Sequence, residues 1–97
     1  MYFLSLFADR KADVPKERIV AVAMNLGSLI VTLPAPARHN DLMTAIFRDL
    51  QQMTDSDQEG FLTSEGRFVS RREARGIAVA AGQVGGDCRV LISQHLW

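Results

Sequence analysis

Four arginines, Arg67, Arg71, Arg72 and Arg75, fall within nine residues, and only Glu73 opposes them inside that window. Ser70-Arg71-Arg72-Glu73 has the spacing of a capping box, so Arg71 and Arg72 occupy the first turn of a helix. A helix start already carries positive partial charge, and each exposed cation there costs about 0.3–1 kcal/mol. An anion at that position would offset the cost, because free amides and guanidinium forks both suit phosphate oxygens. The competing account is a solvated face in which Asp55, Asp57, Glu59 and Glu65, just upstream, pair with the arginines. Residue types alone slightly favour that account.

Arg38-His39-Asn40-Asp41 offers a second helix start with a cation and an imidazole beside it. Ordinary capping by Asn40 with a surface His39 is the plainer account, and the one favoured by the sequence. Phe61 and Phe68 flank a tight turn next to Arg67. An aromatic face beside basic groups holds a base and its phosphate together, at about 1–3 kcal/mol per stacked base; core packing of one of the two rings is the alternative. Catalytic groupings are poor. His39, His95 and Cys88 have no metal or nucleophile spacing. Walker, GxGxxG, HExxH and GxSxG patterns are absent. Binding is therefore expected rather than catalysis, with no metal and no cofactor.

These residues need elements to position them. Ile19-Val20-Ala21-Val22-Ala23-Met24 is a β-branched run suited to a buried strand. Turn chemistry at Asn25-Leu26-Gly27-Ser28 leads into Leu29-Ile30-Val31-Thr32-Leu33, which predicts an antiparallel hairpin. Pro34 and Pro36 end it. A helix capped near Asn40 and opened by Asp41 follows, with Leu42, Ile46, Phe47, Leu50 and Met53 on the face toward the sheet. Residues 55–60 break it. Phe61-Leu62-Thr63 and Arg67-Phe68-Val69 form a shorter hairpin that runs into the arginine helix. Ala74, Ile77, Ala78 and Ala81 line one side of that helix, and Gly82 stops it. Arg89-Val90-Leu91-Ile92 is expected as a last strand. The fold class is α+β: an antiparallel sheet with two helices packed on it, one small domain over residues 1–97.

At 97 residues the chain supports one modest core, and 47% hydrophobic with 23% charged residues is ordinary globular composition. A formal net charge of zero gives no global attraction to DNA or to an acidic membrane. Cys88 is the single cysteine, so no internal disulfide forms. The opening Met1-Tyr2-Phe3-Leu4-Ser5-Leu6-Phe7 is too short to span a bilayer and lacks a basic flank; it is expected as a strand or an oligomer contact. A polar linker from Ala8 to Glu17 follows. A cytoplasmic homodimer or higher homo-oligomer is the expectation, the apolar N-terminal run and Trp97 being more greasy surface than a small monomer covers.

Several motifs resemble a known family. Leu33-Pro34-Ala35-Pro36-Ala37-Arg38-His39-Asn40-Asp41, then Gly60 through Ala74, then Gly82-Gln83 and Leu96-Trp97, are similar to small phage anti-Thoeris proteins of the first described type. The resemblance covers Ile19 to Trp97. It implies a non-enzymatic sponge that sequesters cyclic ADP-ribose isomers, or cyclic oligonucleotides, at a dimer interface. By motif, Phe61 would be the ligand's aromatic contact, Arg38 an arginine of the first helix, and Ser70 or Arg71 the polar position. Arg89 matches a late arginine by distance alone. Departures are Ser93-Gln94-His95 where the family often has an acidic end, the leader Met1 to Lys16, and a short loop from Met53 to Gly60. The expected ligand-binding set is thus Arg38, His39, Phe61, Arg67, Phe68, Ser70, Arg71 and Arg89. The alternative function is a phage accessory protein that binds a host protein through its apolar N-terminal strand and acidic loop.

Overall fold

The computed structural model describes residues 16–97. The apolar N-terminal run and most of the linker lie outside the described residues. Strands β1 (Ile19–Asn25), β2 (Ile30–Pro34), β3 (Glu59–Thr63) and β4 (Phe68–Ser70) form one sheet in the order β2-β1-β3-β4, with every neighbouring pair antiparallel. Helices α1 (His39–Leu50) and α2 (Arg71–Ala80) pack on it. The α+β architecture expected from the sequence is the one observed.

Both hairpins follow from their turn residues. In the first, the Asn25 side chain accepts from the Gly27 amide at 2.9 Å, and Gly27 takes a φ of +93°. In the second, the Thr63 hydroxyl accepts from the amides of Glu65 and Arg67 while Gly66 occupies the left-handed region at φ +79°. A three-residue hairpin loop closed by a left-handed glycine is a favoured form.

The core lies between the sheet and the two helices. Val22, Met24, Phe61 and Val69 meet Leu42 and Ile46 of α1, Ala74 and Ala78 of α2, and Leu91 from the C-terminal segment. Strict alternation would put Ile19 on the opposite face from Val22. A register shift between Ile19 and Ala21 moves the side-chain parity by one, and Ile19 joins the core. The small side chains of Ala74 and Ala78 let α2 approach the sheet closely.

Three expectations are corrected. Helix α1 starts two residues earlier than its best capping residue suggests: Arg38 is the cap and His39 the first helical residue. Asp41 does the capping chemistry from inside the helix, its carboxylate accepting the Arg38 amide at 2.8 Å. The apolar face of α1 is narrower than its periodicity, because Leu42 and Ile46 are buried while Phe47, Leu50 and Met53 are exposed. The helix ends at Leu50, with Gln51 left-handed (φ 54°), so Met53 falls outside it. Finally, residues 89–92 form no strand. Instead Arg71 of α2 takes the Leu91 carbonyl, and Arg75 takes the Cys88 carbonyl just before the segment.

Candidate functional site

The four clustered arginines have separate partners. Arg67 clasps Glu17 with two hydrogen bonds of 2.8 and 2.9 Å, and those bonds, with one from Thr63, pull the Glu17 carboxyl down to about 2. Arg71 pairs with Glu59 and donates to the Leu91 carbonyl at 2.6 Å. Arg75 donates to the carbonyls of Cys88 and Gly86. Among the described residues Arg72 has no hydrogen-bond or ion-pair partner. Of the four upstream acids, Glu59 is the one that pairs; the others form no ion pair with the arginines among the described residues. The cluster is therefore part ion pair and part strap over the C-terminal segment.

Arg71 nevertheless meets the other basic candidate. The starts of α1 and α2 converge on a notch of about 150 Å³, lined by Arg38, His39 and Asn40 of α1, Glu59 of β3, Arg71 of α2, and Ile92, Ser93 and Gln94. Phe61 does not line it but lies behind two of its side chains. Its ring meets His39 edge-on at 4.9 Å, and the Arg71 guanidinium lies 5.9 Å from its centroid. Phe61 itself is fully buried. It supports the notch through His39 and Arg71 and offers no free face for a base to stack on.

His39 is 7% exposed, and a ring nitrogen lies 2.8 Å from the Gly60 carbonyl. A carbonyl only accepts, so Nε2 donates, and in the neutral ring Nδ1 keeps its lone pair. Burial lowers the pKa of His39, and Arg71 acts in the same direction; the Gly60 bond and Glu59 oppose them less strongly. Arg38 is exposed and donates to the Trp97 carbonyl at 2.7 Å, while the Trp97 indole donates to the Ala37 carbonyl at 2.8 Å. Trp97 is thus half-buried against its own chain and does not add to the exposed apolar surface.

The notch brings together Arg38, His39 and Arg71, with Phe61 packed behind the last two. The remaining four expected residues lie elsewhere. Arg67 is at the β3–β4 turn with Glu17. Phe68 pairs with Leu62 in the ladder, so it lies on the sheet face opposite Phe61 and Val69, and its ring crowds Gly60. The two phenylalanines cannot clamp one ligand. Ser70 caps α2, its hydroxyl accepting the Glu73 amide at 3.2 Å. The return half of the expected box does not form, and Glu73 lies 4.0 Å from Arg67 instead. Arg89 is exposed on another hollow beside Cys88 and His95.

Sequence reasoning missed Glu59 as a notch residue, although its place two residues before Phe61 on a strand puts both on one face. Ser93 and Gln94 gave no signal, because the short 3₁₀ turn Ser93–His95 that presents them has no periodicity.

Chemically the notch has two fixed cations, one carboxylate, a neutral imidazole acceptor and two helix starts. It suits a group with negative charge next to hydroxyl or amino donors, such as one phosphate-bearing edge of a nucleotide.

Residues 18–97 match the profile of the phage T4 y16D protein family. The chain belongs to that family. It is a phage protein by this membership, and the match takes in every element of the fold, from β1 to the C-terminal turn. No curated protein and no solved structure matches the chain. No helix among the described residues is long and apolar enough to cross a membrane.

Proposed function

We propose that this phage protein is a non-enzymatic sponge that binds and sequesters a cyclic ADP-ribose-type or cyclic oligonucleotide immune signal of the host cell. The observation that supports it is the convergence of Arg38, His39 and Arg71, from two separate helix starts, on one notch. The resemblance to anti-Thoeris proteins rests on these same motifs. A volume of about 150 Å³ is below the 300–1,000 Å³ usual for a small-molecule site, so it fits one phosphate and its sugar rather than the whole ligand. The rest of the ligand would lie along Ile92–Gln94 or against a second copy of the chain. Arg38 and Arg71 would hold the phosphate, and Nδ1 of His39 would accept from a hydroxyl or amino group. Glu59 would accept a ribose hydroxyl.

Incubation with a panel of cyclic ADP-ribose isomers and cyclic dinucleotides tests this. Sequestration predicts depletion of one ligand from solution and its intact return on heat denaturation. Depletion of none rejects the proposal, and return of a cleaved product makes the protein an enzyme. Arg38→Ala and Arg71→Lys should each weaken uptake while leaving the circular dichroism unchanged.

A second reading, binding of a host protein, is favoured by the exposed Leu29, Ile30, Phe47, Leu50 and Met53. It predicts that Phe47→Glu abolishes function while ligand depletion, if present, is retained.

A further inference from the structure

Away from the notch, a hollow of about 590 Å³ opens beside the C-terminal segment, with Cys88, His95, Asp87 and Arg89 among its lining residues. That volume lies within the range of pockets that hold small molecules. Cys88 and His95 are seven residues apart in sequence, and the structure brings Sγ to 3.7 Å from Nδ1. The Ile92 amide donates to the same nitrogen at 3.3 Å. Nδ1 is therefore the lone-pair nitrogen of the neutral ring and Nε2 carries the proton, while the thiol hydrogen is shared between Nδ1 and the Val90 carbonyl, which lies 3.5 Å from Sγ. The backbone around the sulfur is held on both sides. Arg75 grips the Cys88 carbonyl, and the Cys88 amide donates to the Gly85 carbonyl at 3.0 Å.

We propose that Cys88, with His95 as its proton acceptor, is a modification site that forms a mixed disulfide with a small anionic disulfide entering this hollow. The sulfur lone pair of Cys88 attacks one sulfur of the incoming disulfide. The new S–S bond forms as the old one breaks, and the thiol proton passes to Nδ1 of His95. The leaving thiolate then takes that proton, so the step needs no outside oxidant or reductant. Arg89, exposed on the rim, meets a carboxylate of the incoming molecule, against partial opposition from Asp87. Cys88, His95, Asp87 and Arg89 do not line the notch, although Ile92 does, so the site stands whether or not the protein binds a nucleotide.

The test uses the reduced 97-residue protein with glutathione disulfide, followed by intact mass. Cys88 is the only cysteine, so every adduct reports on it. The protein should form the one-glutathione adduct about tenfold faster than a free peptide of residues 84–92, which lacks His95. His95→Asn can still accept the Ile92 amide but cannot take a proton, and it should lose about that factor with its circular dichroism unchanged. Arg89→Ala should slow the reaction with glutathione disulfide but not with uncharged hydroxyethyl disulfide. A parent rate equal to the peptide's overturns the proposal, whatever the variants do. So does a folded His95→Asn that reacts as fast as the parent.

Discussion

His39 shows how one side chain ties the fold to the notch. Its Nε2–H satisfies the Gly60 carbonyl, its ring edge meets Phe61, and its other nitrogen is left as an acceptor. Burial favours the neutral form, so the native pKa lies below the ordinary 6.5. The sign follows directly. As pH falls through 6.5 the unfolded chain takes up a proton that the folded chain refuses, so stability declines until the native value is passed. Above 6.5 the contribution is complete. Urea denaturation across the range from pH 8 to pH 5 should show this decline, and His39→Gln should flatten it; an equal slope in both proteins would mean another group is titrating. Glu17 acts in a separate window. Its carboxyl, held near 2 by Arg67 and Thr63, contributes fully above about 4.5 and loses that contribution as pH falls toward 2. Phe61 is the other decisive residue. Fully buried between His39, Arg71 and the core, Phe61→Ala should cost about 3–5 kcal/mol, so lost binding in that variant reports lost folding. Arg38 and Arg71 carry the cleaner test.

At the scale of elements, α2 is fixed at both ends. Ser70 caps its start, and Ser70→Ala should cost about 1 kcal/mol by chemical denaturation. Its end is a Schellman turn: the Gly82 amide donates to Val79 at 3.0 Å and the Gln83 amide to Ala78 at 2.8 Å, with Gly82 at φ +76°. The next side chain then docks the helix end on the sheet. Gln83 accepts the Ile19 amide at 2.8 Å and donates to the Ile19 carbonyl at 2.9 Å, standing in for a strand neighbour at the bulge. Gln83→Ala leaves both backbone groups partly buried and unpaired, and should destabilise the protein by about 2 kcal/mol. A change under about 0.5 kcal/mol would mean water replaces the amide without loss. The cap, the glycine stop and both hairpins were legible in the sequence because each rests on a local residue preference. Residues 89–92 were not. Val90, Leu91 and Ile92 have strand propensity, but the Leu91 carbonyl is taken by Arg71, 20 residues away on α2, and the Cys88 carbonyl just before them by Arg75, 13 residues away. No local pattern announces an arginine that satisfies a distant carbonyl. The same reason explains the candidate site: each helix start was visible alone, and only the packing of α1 and α2 on one sheet, with His39 bonded to Gly60 of β3, joins them.

Across the whole molecule, charge and apolar surface point in different directions. The net charge is zero and most of the arginines have local partners, so long-range attraction contributes little. Exposed apolar residues are more suggestive. Leu29 and Ile30 lie at the start of β2, which is an edge strand among the described residues, and Phe47, Leu50 and Met53 lie on and just past α1. Edge strands in stable monomers are usually guarded by charge, proline or a bulge. From Leu29 to Leu33 there is no charge, and Pro34 closes only one end. Helix α1 packs on β1 and β2. An antiparallel pairing of β2 with its two-fold copy would continue the sheet and cover Leu29 and Ile30. Sedimentation equilibrium should then give a mass twice that of the chain at micromolar concentration. Ile30→Lys should return it to the monomer with little loss of secondary structure, since Ile30 is already 45% exposed. A parent that sediments as a monomer throughout would remove the dimer. It would also require the notch to hold the proposed ligand unaided, an arrangement for which about 150 Å³ leaves little room.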